Sequence, residues 1–432
     1  MIRILTVLFL FLVALPARAG VAIEEFTSPG GIHVWLVEEP SIPFIALELR
    51  FQGGASLDAP GKRGAVNLMV GLLEEGSGDL DAREFAKATE NLAAQFGYDV
   101  SDDVVSVSAR FLSENRDQAV DLLRKSLVEP AFTDKAIERV RGQVMSVIRS
   151  NETDPDKIAG RTFKKMAFGD HPYGSPLIGT PDSVAALTRE DIVAAHKATM
   201  AKDRMFVSVV GDITAEDLGP MLDGLLGDLP DTGAPIPPKV TPVLGGGTEV
   251  VDFDTPQSVA VFGQPGMDRD DDDFFAAYLL NTILGGGGFE SRLMEEVREK
   301  RGLTYGVYSY LVPKDLAALY MGSVASANDR IGEAVRVIKE EWARMAESGV
   351  TPEELEKAKA LLTGAYPLRF DGNGAIAQIM VGMQVQGLPI DYIDTRNDKV
   401  NAVTLEEINR VARELLRPDA LTFVIVGKPR GV

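Results

Sequence analysis

The sequence predicts an α+β fold built twice in tandem. Three observations carry this. "ALTREDIVAAHKATMAKDRMFVSVVGD" (Ala186–Asp212) lies without a gap over "AVTLEEINRVARELLRPDALTFVIVGK" (Ala402–Lys428), with Ala, Thr, Glu, Ile, Asp, Val and Gly recurring at matching places. Between Asp228 and Glu249 runs "DLPDTGAPIPPKVTPVLGGGTE", with five prolines, four glycines and no hydrophobic period, which reads as an exposed linker. The two pieces also begin alike: "VWLVEEPSIPFIALELRFQGG" and "EVVDFDTPQSVAVFGQPGM" each show a strand, a break and a strand. A chain of 432 residues exceeds one ordinary hydrophobic core, so duplication of one domain is the economical reading.

The elements follow in order. "MIRILTVLFLFLVALPARAG" has one early Arg, an apolar run from Ile4 to Leu15, and "ARA" before Gly20. This is the pattern of a secretory signal peptide cut after Ala19. Its apolar run is too short to span a bilayer comfortably. Residues 20–228 form the first domain, 229–248 the linker and 249–432 the second domain. Each strand-break-strand start leads to an apolar helix, near Ala65–Leu73 and Phe274–Leu284, then to a glycine cluster. Each half ends with a Thr-capped helix (Thr188, Thr404), acidic in its first turn as a helix N-terminus prefers, and an apolar strand closed by Val-Gly.

Composition narrows the function. The net charge is −20, and loss of Arg3 and Arg18 with the signal makes it −22. Such acidity repels phosphate backbones and argues against a nucleic-acid partner. The chain has no cysteine, hence no thiol nucleophile and no thiolate metal site. A signal without cysteines points to a bacterial periplasm. No later apolar run is long enough to span a membrane.

The common catalytic patterns are missing. There is no G-x-S-x-G, and "GGASLDAPGKRG" lacks P-loop spacing. "GGGGFES" lacks the third glycine of a dinucleotide fingerprint. "DRDDDDF" (Asp268–Phe274) places Asp273 and Leu279 where a calcium loop needs Gly and Glu, so it reads as a solvated acidic start to the next helix. The three histidines, His33, His171 and His196, are too far apart to form a local zinc pair, and each reads as structural or surface rather than catalytic.

What remains is "GGGGFESRLMEEVREKRGLTYGVYSY" (Gly285–Tyr310). A helix from about Phe289 to Arg301 would put Phe289, Leu293, Met294 and Val297 on one buried face, with Gly302 as its stop and a strand from Leu303 to Val312. Arg298 falls at the margin of that face, and Tyr305 early in the strand. Both side chains are hydrogen-bond donors suited to an oxyanion or a carbonyl. From spacing alone, a surface charge and a core aromatic are the stronger reading.

This segment resembles the second half of the pitrilysin/insulinase-like zinc peptidases, the M16 family, whose pattern there is a Gly-rich turn, S-R-L, then R-E-K-x-G-L-x-Y. The resemblance extends over nearly all of the chain after the signal, including "GDHPYGSPLIGTPDSVAALTREDI" and "LPIDYI" (Leu388–Ile393). It implies two tandem domains of the LuxS/MPP-like metallohydrolase type, each an antiparallel-rich sheet packed with helices. Matching Gly64 and Gly76 to the glycines flanking the family's H-x-x-E-H places Asn67 and Gly71 at the two histidine ligands, Val70 at the general-base Glu, and Val147 at the third ligand. The metal site is thus degenerate, and no cofactor is expected in this chain.

The resemblance also implies a role for Arg298 and Tyr305, which match the pair that in active members holds substrate and tetrahedral intermediate over the zinc. Some members divide the work between two chains, one with H-x-x-E-H and one with the pair. The sequence therefore predicts the zinc-free subunit of a heterodimeric periplasmic metallopeptidase. Arg298 and Tyr305 would act in trans on a peptide, with zinc in the partner and Gly285, Gly286, Gly287 and Gly288 passing close to substrate or partner. The alternative is a non-catalytic scaffold or peptide-binding protein.

Overall fold

The computed structural model describes residues 21–432. The segment read from the sequence as a signal peptide lies outside them. No helix among the described residues is long and apolar enough to cross a membrane.

The strands in chain order are β1 (Glu24–Thr27), β2 (His33–Glu38), β3 (Phe44–Gln52), the short hairpin β4 (Gly76–Ser77) and β5 (Leu80–Asp81), β6 (Gln95–Val100), β7 (Val104–Leu112) and β8 (Met205–Gly211) in the first half. The second half holds β9 (Gly247–Asp252), β10 (Gln257–Pro265), β11 (Val307–Pro313), β12 (Ala318–Ala327) and β13 (Thr422–Gly427). The first large sheet runs β1-β2-β8-β3-β7-β6 and the second β11-β12-β10-β13-β9. Without β1, the two orders superimpose. Each contains one parallel pair, β2 with β8 and β9 with β13, and antiparallel pairs elsewhere. The repeat read from the chain ends is therefore a repeat of sheet topology. Thr188 and Thr404 both cap their helices in full capping boxes, as the sequence predicts.

The central strands explain how the halves are joined. In β3, Ile45, Leu47, Leu49 and Phe51 enter the first core, while Ala46 on the other face packs with Ala377 and Met380 of the Asn373–Val385 helix, which comes from the second half. In β10, Phe262 enters the second core, while Val261 packs with Phe163 of the Pro155–Phe168 helix, which comes from the first half. Each sheet is thus roofed by a helix of the other domain. The strand residues beneath are small where the helices cross: a Cβ on Gly263 would sit 2.9 Å from Phe163 Cζ and 2.8 Å from the Tyr320 carbonyl oxygen. Ser208 Oγ donates to the Ala377 carbonyl at 2.6 Å, and Gln384 Nε2 to that of Val207 at 2.8 Å.

A charge cluster closes the remaining seam. Buried Asp102 accepts from Lys314 Nζ at 2.6 Å and pairs with Arg63 at 3.2 Å and Lys164 at 3.4 Å. Burial opposes its ionisation, but these three cations outweigh burial and hold its carboxyl below the usual carboxylate range.

The Pro/Gly-rich stretch is largely exposed, as expected of a linker, but it is tied to both domains. Val240 N donates to Leu316 O and Val243 N to Ala167 O, both at 2.8 Å, so the stretch is a strap bonded to both halves. Leu229 and Leu244 are buried along it. β9 begins at Gly247, inside the predicted linker bounds, because Gly247 pairs with Thr422.

Candidate functional site

The segment Gly285–Tyr310 departs from a plain helix and strand. The apolar Phe274–Asn281 helix runs into a π-turn at Thr282–Gly286. A 3-10 turn at Gly288–Glu290 follows, then a wide helical stretch with π-bonding over Met294–Glu299. Leu293, Met294 and Val297 are buried as predicted, but Phe289 is 67% exposed. It lies in the turn before the helix, so helical spacing does not apply to it. β11 starts at Val307, which leaves Tyr305 in the preceding loop. Tyr305 is 87% exposed and is no core aromatic.

The loop is held rigidly around it. Thr304 Oγ1 donates to the Ala325 carbonyl at 2.7 Å and accepts from Gly306 N at 3.0 Å. Leu303 N donates to Val297 O at 2.9 Å, and Gly302, at φ +58°, carries the turn. These bonds fix the backbone on both sides of Tyr305 and leave its phenol in solvent.

Three arginines share this segment, and the structure separates them. Arg292 grips Glu354 with both Nε and Nη2 at 2.7 Å. Arg301 Nη1 bonds buried Glu296 at 2.6 Å. Hydrogen bonds from Lys300 first, and Arg301 behind it, hold the Glu296 carboxyl below its usual range. Among the described residues, the one carboxylate paired with Arg298 is its chain neighbour Glu299, at 3.4 Å, and its guanidinium rests 4.6 Å from the Phe289 ring centroid. Arg292 and Arg301 fasten the helix; Arg298 is stacked on an aromatic and left able to donate.

The glycines have an internal explanation. Side chains at Gly285, Gly286 and Gly287 would strike Ser309, Asn281 and the Thr282 carbonyl, each within 2.7 Å. They are small because the π-turn packs against β11 and its own helix. Gly288 alone faces open space, at φ +64°.

β11 is a free edge of its sheet. Val307 and Ser309 point to the core, while Tyr308 and Tyr310 are exposed on the other face. Sequence reasoning put Phe289 on the buried face and passed over Tyr308 and Tyr310. The alternation in "VYSYLVP" carried the signal for the two tyrosines, since a half-buried strand with Tyr on its outward positions presents an aromatic row.

In the first domain, Asn67, Val70, Gly71 and Val147 all line one cavity of about 400 Å³, with Tyr98, Asp99 and Val100 of β6 on its wall. β6 is likewise a sheet edge. The structure thus brings together the four positions that alignment assigns to a metal. Their side chains do not fit zinc. One amide, two valines and a glycine offer no imidazole or carboxylate, and of the three acids elsewhere on the wall, Glu74, Glu75 and Asp99, Glu75 is engaged by Arg139. No group of three His, Cys, Asp or Glu among the described residues is arranged to hold a metal. The histidines lie elsewhere. His196 is buried with Nε2 donating to Leu127 O at 2.8 Å, His33 pairs with Glu25 at the surface, and His171 caps the Pro172–Gly174 turn.

Two family models match the chain: one described as insulinase (peptidase family M16) over residues 33–181, and one described as the peptidase M16 inactive domain over residues 186–362. The chain belongs to the M16 family. This M16 chain is 27% identical over 413 residues to a non-peptidase homologue of Helicobacter pylori, covering 96% of each. It is 26% identical over 410 residues to an uncharacterised zinc protease of Streptomyces coelicolor, covering 91% of this chain and 87% of the relative. Among solved structures, a peptidase M16 inactive domain from Pseudomonas fluorescens superimposes with a TM-score of 0.88 at 29% identity, covering 94% of this chain and 98% of that one. Relatives of this M16 chain thus carry both protease and non-peptidase names, so its activity has to be argued from its own residues.

Proposed function

We propose that this chain is the zinc-free subunit of a two-chain M16-type peptidase of the bacterial periplasm. It presents Arg298 and Tyr305 to a partner that carries H-x-x-E-H, the zinc and the general base. The observation that carries the reading is the contrast among the arginines of one segment: Arg292 and Arg301 are bound to carboxylates within 2.7 Å, and Arg298 is not. An exposed phenol seven residues later, on a loop braced at both ends, adds a second donor. Preorganised donors of this kind stabilise a developing oxyanion without rearrangement during the reaction. A peptide would lie as an added strand along a free edge, β11 beside the aromatic row or β6 beside the cavity.

The test is reconstitution. The mature chain alone should carry no stoichiometric zinc and cut no unfolded peptide; mixed with an H-x-x-E-H partner it should form a complex that does. Cleavage by the chain alone would end this reading.

A second reading, a non-catalytic scaffold or peptide-binding subunit, is favoured by the cavity that has lost all its metal donors. It predicts a mixed complex that binds peptide but whose cleavage rate is indifferent to Arg298 and Tyr305.

A further inference from the structure

A further cavity lies away from both regions above. It has a volume of about 660 Å³ and sits where the Phe274–Asn281, Asn373–Val385 and Tyr392–Ala402 helices meet. That is the size of a small-molecule site. Its wall carries three arginines, Arg269, Arg369 and Arg396, and three tyrosines, Tyr278, Tyr366 and Tyr392. No Asp or Glu lines it.

In a chain with 64 acidic residues against 44 basic ones, that is unexpected. Elsewhere the buried Arg204 and the largely buried Arg63 and Arg292 meet carboxylates. Arg396 is only 5% exposed, yet its hydrogen bonds go to the Leu362 carbonyl and the Asn397 amide oxygen, both neutral. Arg269 bonds the Tyr392 hydroxyl at 2.7 Å and Gln386 Oε1 at 3.2 Å. Among the described residues no carboxylate forms an ion pair with any of the three. Asp273, near in sequence to Arg269, is taken by Arg410. A buried guanidinium without a counter-charge is costly to hold.

The rings account for the rest of the shape. Arg396 lies 4.4 Å from the Tyr366 ring centroid and Arg269 lies 4.2 Å from that of Phe274. Burial pushes the Tyr366 phenol up to about 12, so it stays protonated and able to donate at neutral pH.

We propose that this cavity is a binding site for a small organic anion, its carboxylate or phosphate held by Arg269, Arg369 and Arg396 and its apolar body packed on the tyrosines. The assignment is independent of the peptidase reading. It uses neither Arg298 nor the cavity of the first domain.

Calorimetry on the mature chain tests it with four probes: phenyl phosphate, 3-phenylpropionate, inorganic phosphate and the neutral 3-phenylpropanol. Saturable one-to-one binding is expected for at least one aromatic anion, with weaker binding of inorganic phosphate and none of the alcohol. Which aromatic anion binds tells phosphate from carboxylate as the natural head group. Arg369→Gln changes an exposed residue, and Arg269→Gln a half-buried one. Each should weaken binding about tenfold or more, the scale of one charge-assisted hydrogen bond, with the unliganded melting temperature of Arg369→Gln unchanged. Failure of both aromatic anions to bind, equal binding of the alcohol, or undiminished affinity in Arg369→Gln would overturn the assignment.

Discussion

The guanidinium of Arg298 lies over the ring of Phe289, 4.6 Å from its centroid, in a segment whose other arginines, Arg292 and Arg301, are tied to carboxylates. The contact gives Arg298 a direction without neutralising it. An exposed cation–π contact contributes about 0.5–1 kcal/mol. In the reconstituted enzyme, Phe289→Ala should therefore lower kcat/KM by about two- to fivefold, and Phe289→Tyr should keep most of the activity. Steady-state kinetics on both variants checks this.

The emptied first-domain cavity makes a prediction about metal. With Asn67, Val70, Gly71 and Val147 at the aligned positions, chelation should leave the melting temperature of the isolated chain unchanged. Elemental analysis before and after dialysis against EDTA accompanies the melt. A zinc-dependent rise of several degrees would contradict the donor set described above.

Asp102 and Lys314 join the two domains, and removing the acid should be felt throughout. Asp102→Asn leaves Lys314 facing a neutral amide in a buried seam, at an expected loss of about 3 kcal/mol in chemical denaturation. The pH dependence has a definite sign. The folded-state carboxyl is held below its unfolded value, so its contribution is complete above the unfolded value of about 4 and disappears as pH falls through the lower folded value. The stability gap between wild type and variant should be widest near neutral pH and close in acid.

Gly263 lies beneath Phe163 at the crossing of the exchanged helix. Gly263→Ala pushes a methyl toward Phe163 and the Tyr320 carbonyl, and should destabilise the fold by about 1–3 kcal/mol. Phe163→Leu should relieve part of that loss in a double-mutant cycle, since the two positions are in contact.

The duplication was legible because it is written in local signals: two Thr caps, two Val-Gly strand ends and two strand-break-strand starts. The exchange of helices was not. The apolar face of Pro155–Phe168 announces that it is buried, but periodicity does not say against which sheet. Phe289 was misplaced for a related reason. A helical wheel extended one turn too far assigns a face to a residue that sits in a turn before the helix. Tyr305 failed as a strand residue because the Thr304 side chain, rather than a ladder, organises its loop. The arginine-lined cavity gave no signal at all, since Arg269, Arg369 and Arg396 are brought together only by the packing of separate helices.

The central claim is that Arg298 and Tyr305 act on chemistry performed by another chain. The most direct measurement is kcat/KM for peptide cleavage by the complex of an H-x-x-E-H partner with wild type, Arg298→Ala or Tyr305→Phe, with complex formation checked by sedimentation. The account predicts intact assembly and a loss of about a hundredfold for Arg298→Ala, the usual scale for an oxyanion donor, with a smaller loss for Tyr305→Phe. Full activity of the assembled Arg298→Ala complex would contradict it.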